Sequence, residues 1–282
     1  MKTFNISRRN FLKTGALAAA ATQLPIPALL AAEDYGAKRI PVNLQMYTIG
    51  QESGRRGAAN TFAALSKMGY KGVEFAGSSY GGDLKETRML LDDNGMKCVG
   101  IHGAPLGANL DQQIEQAKIM GNPRILASTI GGLNTLDAIN RSADQMTEVA
   151  AKLKPLGMFT GFHCHPGEFQ LVQDTGQTVY ELFFTRASKD VIMQIDLGHM
   201  GTGRGDHVAY MTKFAGQAKS VHVKPSNAAT LIGEGTDKNN WPVIFKACES
   251  VGGTEVYVVE YDGGTWEKTT RTIERLKEWG KV

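Results

Sequence analysis

Eight short apolar runs separated by amphipathic stretches, most of them closed by a glycine, decide what this chain can fold into. The runs are Ile40–Met46, Gly72–Phe75, Lys97–His102, Arg124–Ser128, Met158–His163, Val191–Ile195, Ser220–Val223 and Val256–Glu260. Each is of strand length, and a strand buried on both faces reads as a continuous apolar run rather than as an alternation. Between them, apolar residues recur at helical spacing. In Asn60–Tyr70 they are Phe62, Leu65 and Met68, and Gly69 marks the stop. Further helices are expected over Leu84–Asn94, Leu110–Met120, Leu136–Leu156, Thr178–Ala187, His207–Phe214, Trp241–Val251 and Trp266–Trp279.

Parallel strands need crossover connections, and strict alternation of strand and helix supplies them. Eight such units in about 250 residues fit a single-domain α/β (β/α)8 TIM barrel. An open doubly wound sheet would carry a glycine-rich phosphate turn after the first strand. The stretch Tyr47-Thr-Ile-Gly-Gln-Glu-Ser-Gly is not that fingerprint. No low-complexity linker follows about residue 37, so one barrel domain is expected over residues 38–282.

The first 32 residues read differently. Ser7-Arg8-Arg9-Asn10-Phe11-Leu12-Lys13 precedes an alanine-rich apolar run. This resembles a twin-arginine export signal, with cleavage expected near Ala31–Glu33. Pro25 and Pro27 interrupt the run, which leaves it short of the roughly 20 apolar residues of a membrane span. A periplasmic or extracytoplasmic protein without a permanent membrane anchor is expected. The twin-arginine route carries folded proteins, so a metal could be loaded before export. The three cysteines, Cys98, Cys164 and Cys248, form no disulfide framework, and Cys98 and Cys248 sit in apolar contexts. A net charge of +3 gives no basis for a nucleic-acid partner.

In a barrel of this kind, chemistry gathers at the C-terminal ends of the strands. In order, those ends carry Gln45 and Tyr47, Glu74, His102, then His163, His165 and Glu168. Asp196 and His199 follow, then His222 and Lys224, then Glu260 and Asp262. Five of the six histidines fall in this set; His207 opens a helix instead. Imidazoles and carboxylates around one point suit one divalent metal, with Mn²⁺, Mg²⁺, Co²⁺ and Zn²⁺ as candidates. Such an ion could hold two adjacent substrate oxygens, a hydroxyl and a carbonyl, while carboxylates beside it move protons.

Five motifs carry a resemblance: Gly69-Tyr-Lys-Gly-Val-Glu-Phe, Gly161-Phe-His-Cys-His-Pro-Gly-Glu-Phe, Asp196-Leu-Gly-His, Val221-His-Val-Lys and Val258-Val-Glu. From about Ile40 onward the chain resembles the xylose isomerase-like TIM-barrel superfamily, in its sugar phosphate isomerase and epimerase branch. The resemblance implies a metal held by an acidic residue after strand five and by Asp196, His222 and Glu260. Many relatives end strand five on Glu, where this chain has His163. Glu168 is taken as the acidic ligand, with His163 next and His165 behind. Glu260, Glu168 and His163 are the implied catalytic groups; Glu74, His102, His165, His199 and Lys224 are candidate substrate contacts. Tyr47 and Trp241 could wall the sugar ring, although Trp usually packs in a core. Asp196 could also simply cap the following turn, and Lys224 could be solvated.

The expected activity is isomerisation or epimerisation of a sugar or keto-sugar by proton abstraction beside a metal-bound carbonyl. A 3-keto-glycoside lyase or hydratase on the same site is the alternative, strengthened if an imidazole replaces the strand-five carboxylate. A non-catalytic sugar-binding barrel stands further off. An abasic-DNA endonuclease would need more metal ligands and a basic groove. A homo-oligomer is compatible with all of these readings.

Overall fold

The computed structural model describes residues 39–77 and 80–282. The export segment therefore lies outside the described residues. Among the described residues, no helix is long and apolar enough to cross a membrane.

The eight expected strands form, and they close in chain order into a parallel barrel. They are β1 (Val42–Gln45), β2 (Gly72–Phe75), β3 (Lys97–Gly103), β4 (Arg124–Ala127), β5 (Phe159–His163), β6 (Val191–Asp196), β7 (Ser220–Val223) and β8 (Val256–Val259). β1 closes the ring against β8, with Leu44 beside Val259. The helices take their expected places. Side-chain caps fix several starts: Asp83, Thr135, Thr178, Asp206 and Thr265 each accept a backbone N–H from the first turn. Gly69 and Gly121 end two helices in the left-handed conformation that glycine adopts at no steric cost.

Two boundaries moved for local reasons. The long helix ends at Leu153, and Lys154–Leu156 tightens into a 3-10 turn around Pro155. The helix from Trp241 ends at Ala247 and widens into a π-turn over Cys248–Gly252. Two helices carry no sequence signal of their own. Gly50–Arg56 buries no residue, and Leu197–Thr202 spends two of its six positions on glycine.

The apolar core lies between the strands and the surrounding helices, around Leu44, Val73, Ile101, Ile125, Phe162, Ile195, Val221 and Tyr257. The barrel interior is different. Side chains alternate across each strand, and the inner set includes Asn43, Gln45, Glu74, His102, His163, Gln194, Asp196, Ser220 and His222, all buried. Bulky aliphatic residues usually fill this space; here only Val99, Val256 and Val258 form a small separate apolar cluster. A closed cylinder has thus been packed with polar groups, and each of them needs a partner.

Candidate active site

Glu74 is the centre of that polar packing. It is fully buried, and its Oε1 accepts from Gln45 Nε2 and lies 2.7 Å from His222 Nε2. His102 Nε2 is 3.1 Å from the same oxygen. Its Oε2 accepts from Gln194 Nε2 at 2.7 Å. Gly100 makes room, since a Cβ there would stand 2.6 Å from Glu74 Oε2. Burial alone would raise the Glu74 carboxyl, but His102 and His222 hold it well below the usual carboxylate range. Glu74 was expected to touch substrate; both of its oxygens are instead committed behind the site. Gln194 and Ser220, which hold this network from β6 and β7, were not foreseen. Their only signal is a polar residue two positions before Asp196 and another two before His222.

With Nε2 held by Glu74, His222 turns Nδ1 to the centre of the mouth. That atom lies 3.9 Å from Asp196 Oδ2 and 2.8 Å from Glu260 Oε2. The second contact pairs His222 with Glu260, whereas Asp196 Oδ2 is buried without a hydrogen-bond partner. The neighbouring register Asp196↔His222 brings the two together. Asp196 divides its work. Oδ1 accepts the His199 N–H at 2.8 Å and caps Leu197–Thr202, as the simplest reading of the sequence allowed; Oδ2 is left to the centre.

Around Asp196 Oδ2 stand His163 Nε2 at 4.0 Å and His199 Nε2 at 3.9 Å. His163, Asp196, His199 and Glu260 form one group whose ligand atoms lie within 4.8 Å of one another. A divalent ion about 2.0–2.2 Å from each donor gives donor separations of this order. The unpartnered oxygen at the centre, two imidazoles and two carboxylates fit such an ion. His163, Asp196, His199 and Glu260 are the grouped residues that could hold it, and His222 Nδ1, 2.8 Å from Glu260 Oε2 and 3.9 Å from Asp196 Oδ2, is a further candidate beside them. Glu74 behind His222 is the partner that fixes a ligating imidazole's ring and tautomer.

The protonation directions divide the site, and a cation at His222 Nδ1 would take the place of a proton. Burial pushes His163 well below its usual value, and the charges of His222 and His102 push it further, so its imidazole is neutral. Burial and His199 bring His165 down to about 4. Burial disfavours charge on His222 too, but Glu74 and Glu260 outweigh it and push His222 up to about 10. Burial raises Asp196. It would raise Glu260 as well, yet His222 holds Glu260 well below the carboxylate range.

Lys224 is buried rather than solvated. Its Nζ lies 2.8 Å from Asp262 Oδ2, 3.1 Å from Glu260 Oε1, 3.8 Å from Asp196 Oδ2 and 3.1 Å from His199 Nε2. Glu168 is turned elsewhere. Pro166 starts a 3-10 turn, and Glu168 Oε2 accepts the His165 N–H at 2.6 Å, closing a capping box. Its carboxylate is not among the grouped donors, and burial raises its pKa. At the end of β5, the side chain brought to the group is that of His163. Trp241 is also away from the mouth: it is buried, donates from Nε1 to Asp237 Oδ2 at 2.7 Å and packs on Trp279. Tyr47, by contrast, lines the mouth, a cavity of about 270 Å³ shared with His102, His163, His165, His199 and Glu260.

Comparison with known proteins places this site in a family. The model of the xylose isomerase-like TIM barrel family matches residues 62–279. The model of twin-arginine translocation signal sequences matches residues 5–25, so the chain carries an export signal of that route. No curated protein matches in sequence. Among solved structures, a sugar phosphate isomerase/epimerase from Parabacteroides distasonis superposes with a TM-score of 0.75 at 22% identity, over 87% of this chain and 96% of that one. A D-allulose 3-epimerase from Methylomonas sp., solved with D-allulose, gives 0.66 at 12% identity, over 86% and 96%. An AP endonuclease of family 2 from Brucella melitensis gives 0.66 at 17%, over 85% and 99%. At these identities the likeness is one of fold. The family model spans most of the chain, and the protein belongs to the xylose isomerase-like TIM barrel family.

Proposed function

We propose that this protein is a divalent-metal-dependent isomerase or epimerase of unphosphorylated sugars or keto-sugars, acting outside the cytoplasm as a barrel of residues 38–282. One observation carries the reading: Asp196 Oδ2, buried without a hydrogen-bond partner, faces His163 Nε2 at 4.0 Å and His199 Nε2 and His222 Nδ1 at 3.9 Å, with Glu260 beside them. Leaving such an atom unpaired is costly unless a ligand completes it. When bound there, a divalent ion supplies positive charge beside a carbonyl oxygen and acidifies the neighbouring C–H.

The residues divide the remaining work. Glu260, held ionised by His222 and Lys224, is the base on one side of the reacting carbon. His163, neutral and turned to the same centre, is a second proton acceptor on another side of it. The Lys224 ammonium, 3.1 Å from Glu260 Oε1, favours the ionised base and any oxyanion formed near it. Glu168 anchors the loop that carries His165. His163 in place of a carboxylate also supports a second reading, elimination from a 3-keto-glycoside with imidazole as the proton carrier.

Metal content and isotope exchange test the proposal together. Purified protein should hold about one divalent ion per chain, and incubation with ketoses or 3-keto-glycosides in D2O should place deuterium next to the carbonyl. A changed stereocentre on an intact skeleton identifies the epimerase; a released aglycone identifies the lyase. Protein that binds no metal and exchanges no deuterium with either class would remove both readings.

A further inference from the structure

A second cavity, of about 470 Å³, opens beside the mouth. It lies between the turn and helix that follow β1 and the segment that follows β2. Tyr47 and Ala76 line both cavities, so the two are lobes of one cleft. Tyr47 stands at the junction with 60% of its surface exposed, the most exposed aromatic side chain among the described large hydrophobics.

The lobes differ in chemistry. The mouth offers imidazoles and carboxylates. The second lobe is lined by no charged side chain, and its walls are built from Met46, Phe62, Phe75 and Tyr80. Three of its five described hydroxyls already have a partner. Ser53 Oγ donates to the Gly50 carbonyl at 3.0 Å and Thr61 Oγ1 to the Gly57 carbonyl at 2.8 Å. Tyr80 Oη accepts from Asn122 Nδ2 at 2.9 Å. Lys224 beside the mouth is engaged by Asp262 and Glu260, and among the described residues no lysine or arginine, the side chains that hold phosphate, lines either lobe. A second sugar ring would bring several hydroxyls to a wall with few free partners. A flat apolar ring asks for none, and aromatic and aliphatic walls favour it.

Gly54 lines the lobe. Glycine within a helix is destabilising relative to alanine. Here a Cβ would meet nothing within 4 Å, so no packing inside the molecule requires its absence. The space it leaves belongs to the lobe.

We propose that the cleft takes a neutral glycoside, with the sugar ring at the barrel mouth and a planar apolar aglycone in the second lobe. This rests on the mouth being the sugar site. It narrows the substrate class from free sugars to aryl glycosides or their keto forms, and it favours the elimination chemistry over simple epimerisation.

The test compares phenyl β-D-glucopyranoside with methyl β-D-glucopyranoside by calorimetry and saturation-transfer NMR on Mn²⁺-loaded protein. The phenyl compound should bind roughly tenfold or more tightly, with the strongest saturation transfer on its ring protons. Gly54→Phe should cancel that advantage while changing the methyl glycoside's affinity by less than about twofold; Gly54→Ala should keep it and fold at least as well. Equal affinity of the two ligands, no binding of the phenyl compound, or an advantage that survives Gly54→Phe would overturn the proposal. A phenyl advantage in protein that exchanges no deuterium would leave the lobe standing and remove the catalytic reading. Exchange without a phenyl advantage would do the reverse.

Discussion

Glu74→Gln tests whether a carboxylate at the centre of the barrel holds the site together. The wild-type side chain meets only donors. Gln45 and His222 lie 2.7 Å from Oε1, His102 lies 3.1 Å from it, and Gln194 donates to Oε2 at 2.7 Å. An amide must turn its NH2 toward one side. Facing Oε1's position it would oppose three donors; facing Oε2's position it opposes one, and the amide takes that side. Gln194 could then flip to offer oxygen, but its own oxygen is already 2.7 Å from His102 Nε2 and its nitrogen donates to Ser220. The hydrogen bonds can therefore be partly recovered, while the negative charge facing two imidazoles cannot.

Removing one partner of a buried pair costs about 3–5 kcal/mol, and partial rearrangement places this variant near the lower end. For a domain of this size each kcal/mol moves the midpoint by about 2–4 °C, so a loss of about 6–12 °C is expected in a thermal melt. His222 also loses the group that orients its ring, which should weaken metal binding about 10–100-fold in competition with a fluorescent chelator. A Glu74→Gln protein that melts within about 2 °C of wild type and binds metal equally well would refute the account.

Gly100→Ala should reproduce part of this from the steric side: its Cβ would lie 2.6 Å from Glu74 Oε2, and overpacking there should cost about 1–3 kcal/mol, read as an earlier thermal melt. Asp196→Asn should separate fold from chemistry, because the amide oxygen can still cap Leu197–Thr202 while its nitrogen faces the cluster; the melt of metal-free protein should hold while metal affinity falls, and an unchanged affinity would count against the site. At the far end of the barrel, Arg124 Nη2 meets Glu255 Oε2 at 2.6 Å. Burial would raise Glu255, but Lys219 and Arg124 hold it below its ordinary value, so its contribution is complete above the unfolded carboxyl value, about 4.3, and fades as pH falls through the lower folded value. Glu255→Gln should accordingly melt earlier than wild type at neutral pH and converge with it in acid; a gap that persists at low pH would assign the loss to packing rather than charge.

How far the sequence reaches depends on which side of a strand a residue faces. Outward residues such as Val73, Ile125 and Val221 repeat in runs and at helical spacing, so the eight strands and their order could be read directly. Strand tips were legible for a related reason: His163 and Asp196 end their strands, and His102 and His222 stand one residue before the end of theirs. Mid-strand inward residues gave less. Gln194 sits inside an apolar stretch, where one polar letter has no periodicity to announce it. Side chains beyond the strands depend on loop geometry. Pro166 fixes a turn that lets the His165 N–H capture Glu168, and five residues of sequence separation could not say whether that carboxylate reached inward. Lys224 follows a tip, and only the convergence of Asp262, Glu260 and His199 buries it. The helix Gly50–Arg56 buries nothing and so left no pattern, yet it forms one wall of the second lobe.

That division has a physical origin. The outer layer, from Leu44 through Tyr257, buries enough apolar surface against the helices to close the cylinder by itself. Folding therefore does not require an aliphatic interior, and three valines suffice near the strands' N-terminal ends. The inner positions are released from packing hydrophobes but not from satisfying every polar atom. Gln45, Gln194 and Ser220 hold Glu74, Glu74 holds His222 and His102, and the chain of partners ends at the mouth. The network behind the mouth leaves Asp196 Oδ2 buried and unpartnered at its open end, an oxygen suited to a cation.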